Sequence, residues 1–394
     1  MRILFVSYGS SIHTARWISQ LHGLGWDLHL FPVDEYLLCR EMREVTVHYL
    51  YPNRGPTIDP SIRQATFPWP FRRGQGRWRA LLRRLPGDPL APAARLARAI
   101  RRLQPDLVHS MDLEGGLLAQ EAFALLERPH PPKLFSSWGS VLFHYGRLPE
   151  YRERVDALMR DSQYLMADCL RELELAPSFG FRGETLGVFS AAGGFHLGEM
   201  RRSRQPGPPS QRHFIAIKGR HTDLIGRSYV IFKALELTAD LLRDHQLVVF
   251  LPQGEIRGAV EYLRYLTKLE FSIIPDNSPH EEILSLLGRS KLSIAMSMTD
   301  GTPHTMLESM VMGAFPIQSN TADTRGWIED GVNGRVVPPE DPFALAAAIR
   351  DVLGHPELID RADQLQPAIL DPRLDATVVR PTVIAHYRRI AGDS

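Results

Sequence analysis

Residues 291–339, KLSIAMSMTDGTPHTMLESMVMGAFPIQSNTADTRGWIEDGVNGRVVPP, decide how the rest of the chain is read. The apolar run Leu292–Met296 is short and bounded by turn residues, which predicts a buried strand. Asp300-Gly301-Thr302-Pro303 has the composition of a turn. Met306, Leu307, Met310 and Val311 then fall on one face at helical spacing, and Gly313 stops the helix. Pro316-Ile317 begins a second short strand, and the chain turns again from Gly331 to Gly334.

The polar residues of this stretch cluster around the helix start. Asp300 sits at the carboxyl end of a strand, and Gly301, Thr302, Pro303, His304 and Thr305 lie where the helix begins. Free backbone N–H groups at such a place favour a bound anion such as phosphate. Glu308, eight residues after Asp300, is near enough to the helix start to face the same crevice, where a carboxylate can accept both hydroxyls of a ribose. On spacing alone, a capping Asp300 and a solvated Glu308 is the simpler reading.

The full string shifts that balance. DGTPHTMLESMVMGAFPI followed by WIEDGVNGRVVPP resembles the donor-binding segment of glycosyltransferase family 4, retaining enzymes of GT-B architecture. The family pattern is an acid, seven residues, a glutamate, a small-residue helix end, a Pro-Ile or Pro-Val strand and a glycine-punctuated tail. Asp300 and Glu308 are the acidic pair here, with Asp at a position where Glu is commoner, so its reach is one methylene shorter. The resemblance implies that Asp300 holds donor-sugar hydroxyls and Glu308 the ribose.

At 394 residues, two domains are expected. Hydrophobic content is 44%, ordinary for a globular protein, and the net charge of +1 implies no global attraction to nucleic acid. Cys39 and Cys169 make no disulfide framework and suit a reducing cytoplasm. No Cys or His spacing suggests zinc. The opening MRILFVSYGS is not a signal peptide, because its apolar run is short and leads into amphipathic sequence. No stretch approaches a membrane span, so a soluble or peripheral cytoplasmic protein is expected.

Along the first half, Arg2–Ser7 predicts a buried strand, a turn and helix follow, and Asp27–Phe31 is the next strand, the pattern of an open parallel sheet. The loop lacks GxGxxG, so a dinucleotide is not indicated. His13-Thr14-Ala15-Arg16-Trp17 is similar to a string in family 4 relatives, which implies that Gly9, Ser10 and His13 belong to the acceptor side. Between Phe67 and Arg102, Phe67, Trp69, Phe71 and Trp78 are interleaved with many arginines. That composition suits an anionic inner-membrane surface, or a solvated basic face. Lys133–Ser137 predicts a strand running into Trp138-Gly139-Ser140-Val141, where the resemblance implies a histidine near Trp138 and an aspartate near Val141. Neither is present. His144 is a candidate substitute.

Residues 193–211, rich in Pro, Gly and Arg, are the expected linker between an acceptor domain (1–192) and a donor domain (212–375), with residues 376–394 a helix packing back on the first domain. Phe214–Ile217 opens the second domain as a strand ending in Lys218-Gly219-Arg220. The resemblance implies that Arg220 meets the donor diphosphate. The lysine that follows in the family is missing at its spacing, and Lys218 or Arg227 is a stand-in.

The expected fold is therefore α/β, a GT-B pair of Rossmann-like open parallel-sheet domains facing a cleft. The expected activity is transfer of a sugar from a UDP- or GDP-sugar to a glycan or lipid-linked acceptor in surface-polysaccharide synthesis, with no cofactor and no metal. A GT-B scaffold protein without activity, or an epimerase or phosphorylase on the same fold, are the alternatives.

Overall fold

The structure, a computed structural model, describes residues 1–392 apart from 36, 54–58, 67–87, 89, 221–224, 253 and 277. The chain forms two compact units, Met1–Gly194 with Thr377–Ser394, and Phe195–Ala376.

The first unit is built on β1 (Arg2–Ser7), α1 (Ile12–Ser19), β2 (Asp27–Pro32), β3 (Thr46–Tyr49), β4 (Arg63–Thr66), α2 (Pro92–Leu103), β5 (Leu107–Met111), α3 (Asp112–Phe123), β6 (Lys133–Ser137), α4 (Pro149–Asp161), β7 (Tyr164–Ala167), α5 (Leu170–Leu175) and β8 (Glu184–Val188). Its eight strands run parallel in the order β4-β3-β2-β1-β5-β6-β7-β8. The central strand β1 carries an unbroken apolar run, Ile3–Val6, because both of its faces are covered. Ile3 and Phe5 pack with Trp17 and Ile18 of α1, while Leu4 and Val6 pack with Leu96 and Ile100 of α2. The edge strand β4, RQAT, carries no apolar signal and is mostly exposed.

The second unit contains α6 (Leu197–Arg202), β9 (Phe214–Lys218), α7 (Ser228–Leu237), β10 (Gln246–Phe250), α8 (Ile256–Thr267), β11 (Phe271–Ile274), α9 (His280–Arg289), β12 (Ser290–Ala295), α10 (His304–Met312), β13 (Phe315–Ser319), β14 (Arg335–Val337), α11 (Pro342–Gly354) and α12 (Pro356–Leu374). Its six strands are parallel in the order β11-β10-β9-β12-β13-β14. The stretch expected as a linker is ordered from residue 195. It carries α6, and Arg201 and Arg204 pair with Asp371 and Asp363 of α12. The helix α12 was not apparent from the sequence because Pro367 and Pro372 lie inside it and read as breakers.

A last helix, α13 (Ala376–Ala391), packs in the core of the first unit through Val379, Val383, Tyr387 and Ile390. A buried polar chain fixes it there. Trp17 Nε1 donates to the Tyr387 hydroxyl at 2.9 Å, which lies 2.6 Å from His109 Nδ1, and His109 Nε2 lies 2.7 Å from Ser136 Oγ. Burial pushes the His109 imidazole down to about 3, so the ring is neutral and part of the hydrogen-bonded core.

Candidate functional site

In each sheet the strand order reverses once, between β1 and β5 in the first unit and between β9 and β12 in the second. Helices leave such neighbouring strands toward opposite faces, so a crevice opens at their carboxyl ends.

At the second switch point, β9 ends in Lys218, followed by Gly219 and Arg220. The backbone N–H of Gly219 donates to Phe250 O at 2.8 Å, and a Cβ at this position would sit 2.6 Å from Val249 Cγ1. Only glycine allows this approach. Ser228 Oγ, at the start of α7, donates to Arg220 O at 3.0 Å and pins the turn. Lys218 is half-buried, and burial pushes its ammonium below the usual range. Asp300 and Glu308 pull it back up and Arg220 pushes it further down, so all four charges act on one place. Lys218 makes no ion pair among the described residues.

Asp300 follows β12 and bridges in parallel to Ala322, and Asp323 N donates to Gly301 O at 2.9 Å. The loop after β13 thereby clamps the Asp300-Gly301 turn. Pro303 caps α10, and Thr302 and Thr305 are buried in the approach to it. Thr302 Oγ1 is buried with no hydrogen-bond partner among the described residues. His304 is half-buried beside the ring of Phe195, 6.0 Å away. Glu308 is 5% exposed rather than solvated, and its Oε1 lies 2.9 Å from His280 Nε2. His280 was missed by sequence reasoning. It opens α9, and no spacing signal links it to Glu308. Arg227 pairs with Glu340, and its backbone N–H donates to Met296 O at 3.1 Å, just after β12.

In the first unit, Asp34 gathers the loop after β1. It accepts from Gly9 N at 2.6 Å, from Ser10 N at 3.1 Å and from Ser10 Oγ. Ser11 caps α1 by accepting from His13 N and Thr14 N. The His13 ring lies 6.3 Å from Trp138, edge to face, so the structure brings these two together. Gly139 and Ser140 lead into a tight turn in which Ser140 O accepts from His144 N and Tyr145 N, both at 3.0 Å. His144 Nε2 is buried without a partner among the described residues. The buried carboxylate of Glu172 holds this loop. It accepts from Ser137 Oγ, from Leu142 N at 2.8 Å and from Phe143 N at 3.0 Å, and burial pushes it above the usual carboxylate range.

A second cluster at this switch point was not foreseen. Asp112 directly follows β5 in the left-handed region, φ 66°. Gly115 presses the first turn of α3 against β1, since a Cβ there would lie 2.3 Å from Val6 O. Burial pushes the Asp112 carboxyl up to about 6, with Glu114 adding to the rise. The Tyr8 hydroxyl, at the end of β1, is raised by burial and then by Glu114 and Asp112. The sequence signal was present as an acid directly after a strand, but it becomes readable only once the strand order is known.

Of the basic segment expected at a membrane surface, residues 67–87 lie outside the described residues. On α2, Arg95 is 6% exposed, pairs with Glu35 and lies over the Phe31 ring at 5.3 Å, and Arg101 donates to Leu125 O. Arg95 is thus engaged within the fold, while Arg101 stays exposed. No helix among the described residues is long and apolar enough to cross a membrane. Among them no group of three or more His, Cys, Asp or Glu is placed to hold a metal ion.

Two family models match the two parallel-sheet units in turn. "Glycosyl transferase 4-like" matches residues 2–168 and "Glycosyl transferases group 1" matches residues 229–366. The chain belongs to the group 1, family 4-like glycosyltransferases, enzymes of GT-B fold that transfer sugar residues. No curated protein matches the sequence.

Solved structures agree on the fold. Sucrose-phosphate synthase from Thermosynechococcus elongatus superposes with a TM-score of 0.71 at 14% identity, covering 100% of both chains. Anabaena HepE in complex with UDP gives 0.69 at 13% identity, over 99% of this chain and 100% of that one. The lipopolysaccharide outer core galactosyltransferase WaaB gives 0.65 at 14% identity, over 99% and 100%.

Proposed function

We propose that this glycosyltransferase takes its sugar from a UDP- or GDP-sugar bound at the β9–β12 switch point. The observation that carries this reading is the convergence of Lys218, Arg220, Asp300 and Glu308 on one place. A half-buried ammonium that its carboxylate neighbours do not fully compensate is suited to an anionic ligand. Lys218 and Arg220 take the diphosphate. The Thr302 hydroxyl and the N–H groups at the start of α10 add donors. Asp300 accepts from donor-sugar hydroxyls. Glu308, oriented by His280, accepts from the ribose.

As the glycosidic C–O bond to the diphosphate breaks, negative charge grows on the leaving oxygen, and the two cations stabilise it. The acceptor hydroxyl oxygen bonds to the anomeric carbon on the face being vacated. Its proton passes to the leaving phosphate oxygen, so configuration is retained. Asp112, Glu114 and Tyr8 offer acceptor-side groups that hydrogen-bond hydroxyls of a glycan or lipid-linked acceptor, as in surface-polysaccharide synthesis. Two proteins of the same fold, Anabaena HepE in complex with UDP and the lipopolysaccharide outer core galactosyltransferase WaaB, are in keeping with this.

Calorimetry and thermal shift with UDP, GDP and their sugars test the donor reading. A matched donor at about 100 times its dissociation constant stabilises by roughly 2.7 kcal/mol. Absence of any shift with every nucleotide and nucleotide-sugar overturns it. Trp138, standing where the family resemblance implies a histidine, favours a second reading, a donor-binding protein without transfer. Slow donor hydrolysis in the absence of acceptor, followed by anomeric proton NMR, separates the two.

A further inference from the structure

On the flank of the first sheet, away from the β1–β5 switch point, a cavity of about 410 Å³ lies between α2 and the outer strands β2, β3 and β4. Arg95, Arg98 and Arg102 line one side, at the i, i+3, i+7 spacing that places them on one helix face. His29 and His48 line another, with His29 Nδ1 3.1 Å from His48 Nε2. None of the described residues lining the cavity is acidic. Two carboxylates act on its rim groups. Glu35 pairs with Arg95, and Asp27 lies 3.1 Å from His29 Nε2 while also bonding Arg2.

The arrangement is electrostatically one-sided. Burial and then Arg98 push the Arg95 guanidinium down to about 10. Burial, His29 and Arg102 push His48 down to about 4, so at neutral pH the two rings are an uncharged hydrogen-bonding floor. Planar guanidinium forks match the oxygens of a phosphoryl group. The volume exceeds that of a bare phosphate and falls in the range of organic ligands, roughly 300–1,000 Å³. Phe31, Ala99 and Leu103 supply an apolar wall for the organic part.

We propose that this pocket binds the phosphoryl group of a phosphorylated organic molecule, with Arg98 and Arg102 as the fork, Arg95 as a fixed cation and the histidine pair as the floor. The ligand chemistry is a phosphate ester, whether a soluble phosphomonoester or the headgroup of an anionic phospholipid. The site is distinct from the donor site, and its test does not depend on nucleotide binding.

The test compares the full chain with its Arg98→Gln/Arg102→Gln variant, whose substituted side chains are not in the core. Three probes are used: glycerol 3-phosphate, inorganic phosphate, and vesicles of phosphatidylglycerol in phosphatidylcholine. Saturable one-to-one binding of glycerol 3-phosphate, tighter than inorganic phosphate and weakened at least tenfold in the variant, supports a soluble ligand. Flotation with the vesicles that the variant loses, without response to the soluble ester, supports the lipid headgroup. Equal responses of wild type and variant, or no response to any probe, overturn the proposal. UDP binding, measured in parallel, stays equal in both proteins if the variant is folded, and reports separately on the donor reading.

Discussion

The two switch points occupy equivalent places in two parallel sheets, yet their chemistry is opposite. At β9–β12 two cations stand beside two carboxylates, and a buried threonine hydroxyl lacks a partner among the described residues. At β1–β5 the groups are Asp112, Glu114 and Tyr8, with carboxylates raising the tyrosine. The same backbone device therefore presents donors of positive charge in one unit and acceptors of hydrogen bonds in the other. The first suits an anionic leaving group and the second suits hydroxyls. The difference lies in a few residues at strand ends, which is why fold alone does not assign the roles.

The sharpest way to break the comparison is to remove the cation at the second switch point. Arg220→Ala should lower turnover by roughly 10²–10³, the size seen when a preorganised donor to a developing anion is deleted. Arg220 is exposed, so the melting temperature should barely move. Arg220→Lys should recover part of the rate, since it restores charge without the fork. Near-wild-type turnover in Arg220→Ala would make Arg220 an ordinary surface cation.

A smaller effect is expected at Glu308. Glu308→Ala removes charge-assisted hydrogen bonds, each contributing roughly 1.5–3 kcal/mol, and should weaken donor binding by about 10- to 100-fold. Titration calorimetry with UDP reads it directly. Unchanged affinity in a folded variant would leave Glu308 as no more than the partner of His280.

Asp112→Asn addresses the first switch point. The wild-type carboxyl is raised to about 6, so its contribution to stability is present below the unfolded-state value and is lost as pH rises from there through about 6. The asparagine has no such loss. It also tolerates the left-handed conformation. The variant should therefore be more stable at pH 7.5, on the order of 2 kcal/mol, and its stability should be flat between about pH 4 and 6 where the wild type declines. Denaturant melts across that range check the slope, and identical slopes would mean that Asp112 does not titrate there. Gain of stability with loss of acceptor turnover is the pattern of a strained functional residue.

Three of the four strands at the switch points were legible in the sequence through short apolar runs, in β1, β9 and the Leu292–Ala295 part of β12, whereas β5, LVHSM, carries His109 and Ser110. The turn and helix at 300–312 were legible from their punctuation. β4 was not, because RQAT pairs through its backbone at a sheet edge and needs no apolar side chains. α12 was not, because its prolines hid a helix held by tertiary contacts. At the site, Asp300 and Glu308 were singled out by the family resemblance, since spacing alone favoured a capping Asp300 and a solvated Glu308. His280, 28 residues upstream of Glu308, meets it only through topology, as Tyr8, just after β1, meets Asp112 and Glu114 at the start of α3. The pocket arginines were visible as a basic run, but the run did not show which of them turn toward the sheet.

The smallest expected effect tests whether the acceptor-side loop can be loosened without touching the donor side. Glu172 uses both carboxylate oxygens to accept from Ser137, Leu142 and Phe143, and so fixes residues 138–143. Glutamine keeps the shape but offers one oxygen, so an N–H donor of the loop must face an amide NH₂. Leaving one buried donor unsatisfied costs roughly 1–3 kcal/mol, offset in part because the raised carboxyl no longer has to be buried charged. The net should be about 1 kcal/mol, a fall in Tm of about 2–4 °C for a unit of this size. The Michaelis constant for acceptor should rise, since Trp138 and Gly139 lie on the released loop, while UDP affinity, set in the other unit, stays constant. Equal losses of acceptor and donor affinity would show that the two switch points are not independent, and that the contrast between them is one of composition only.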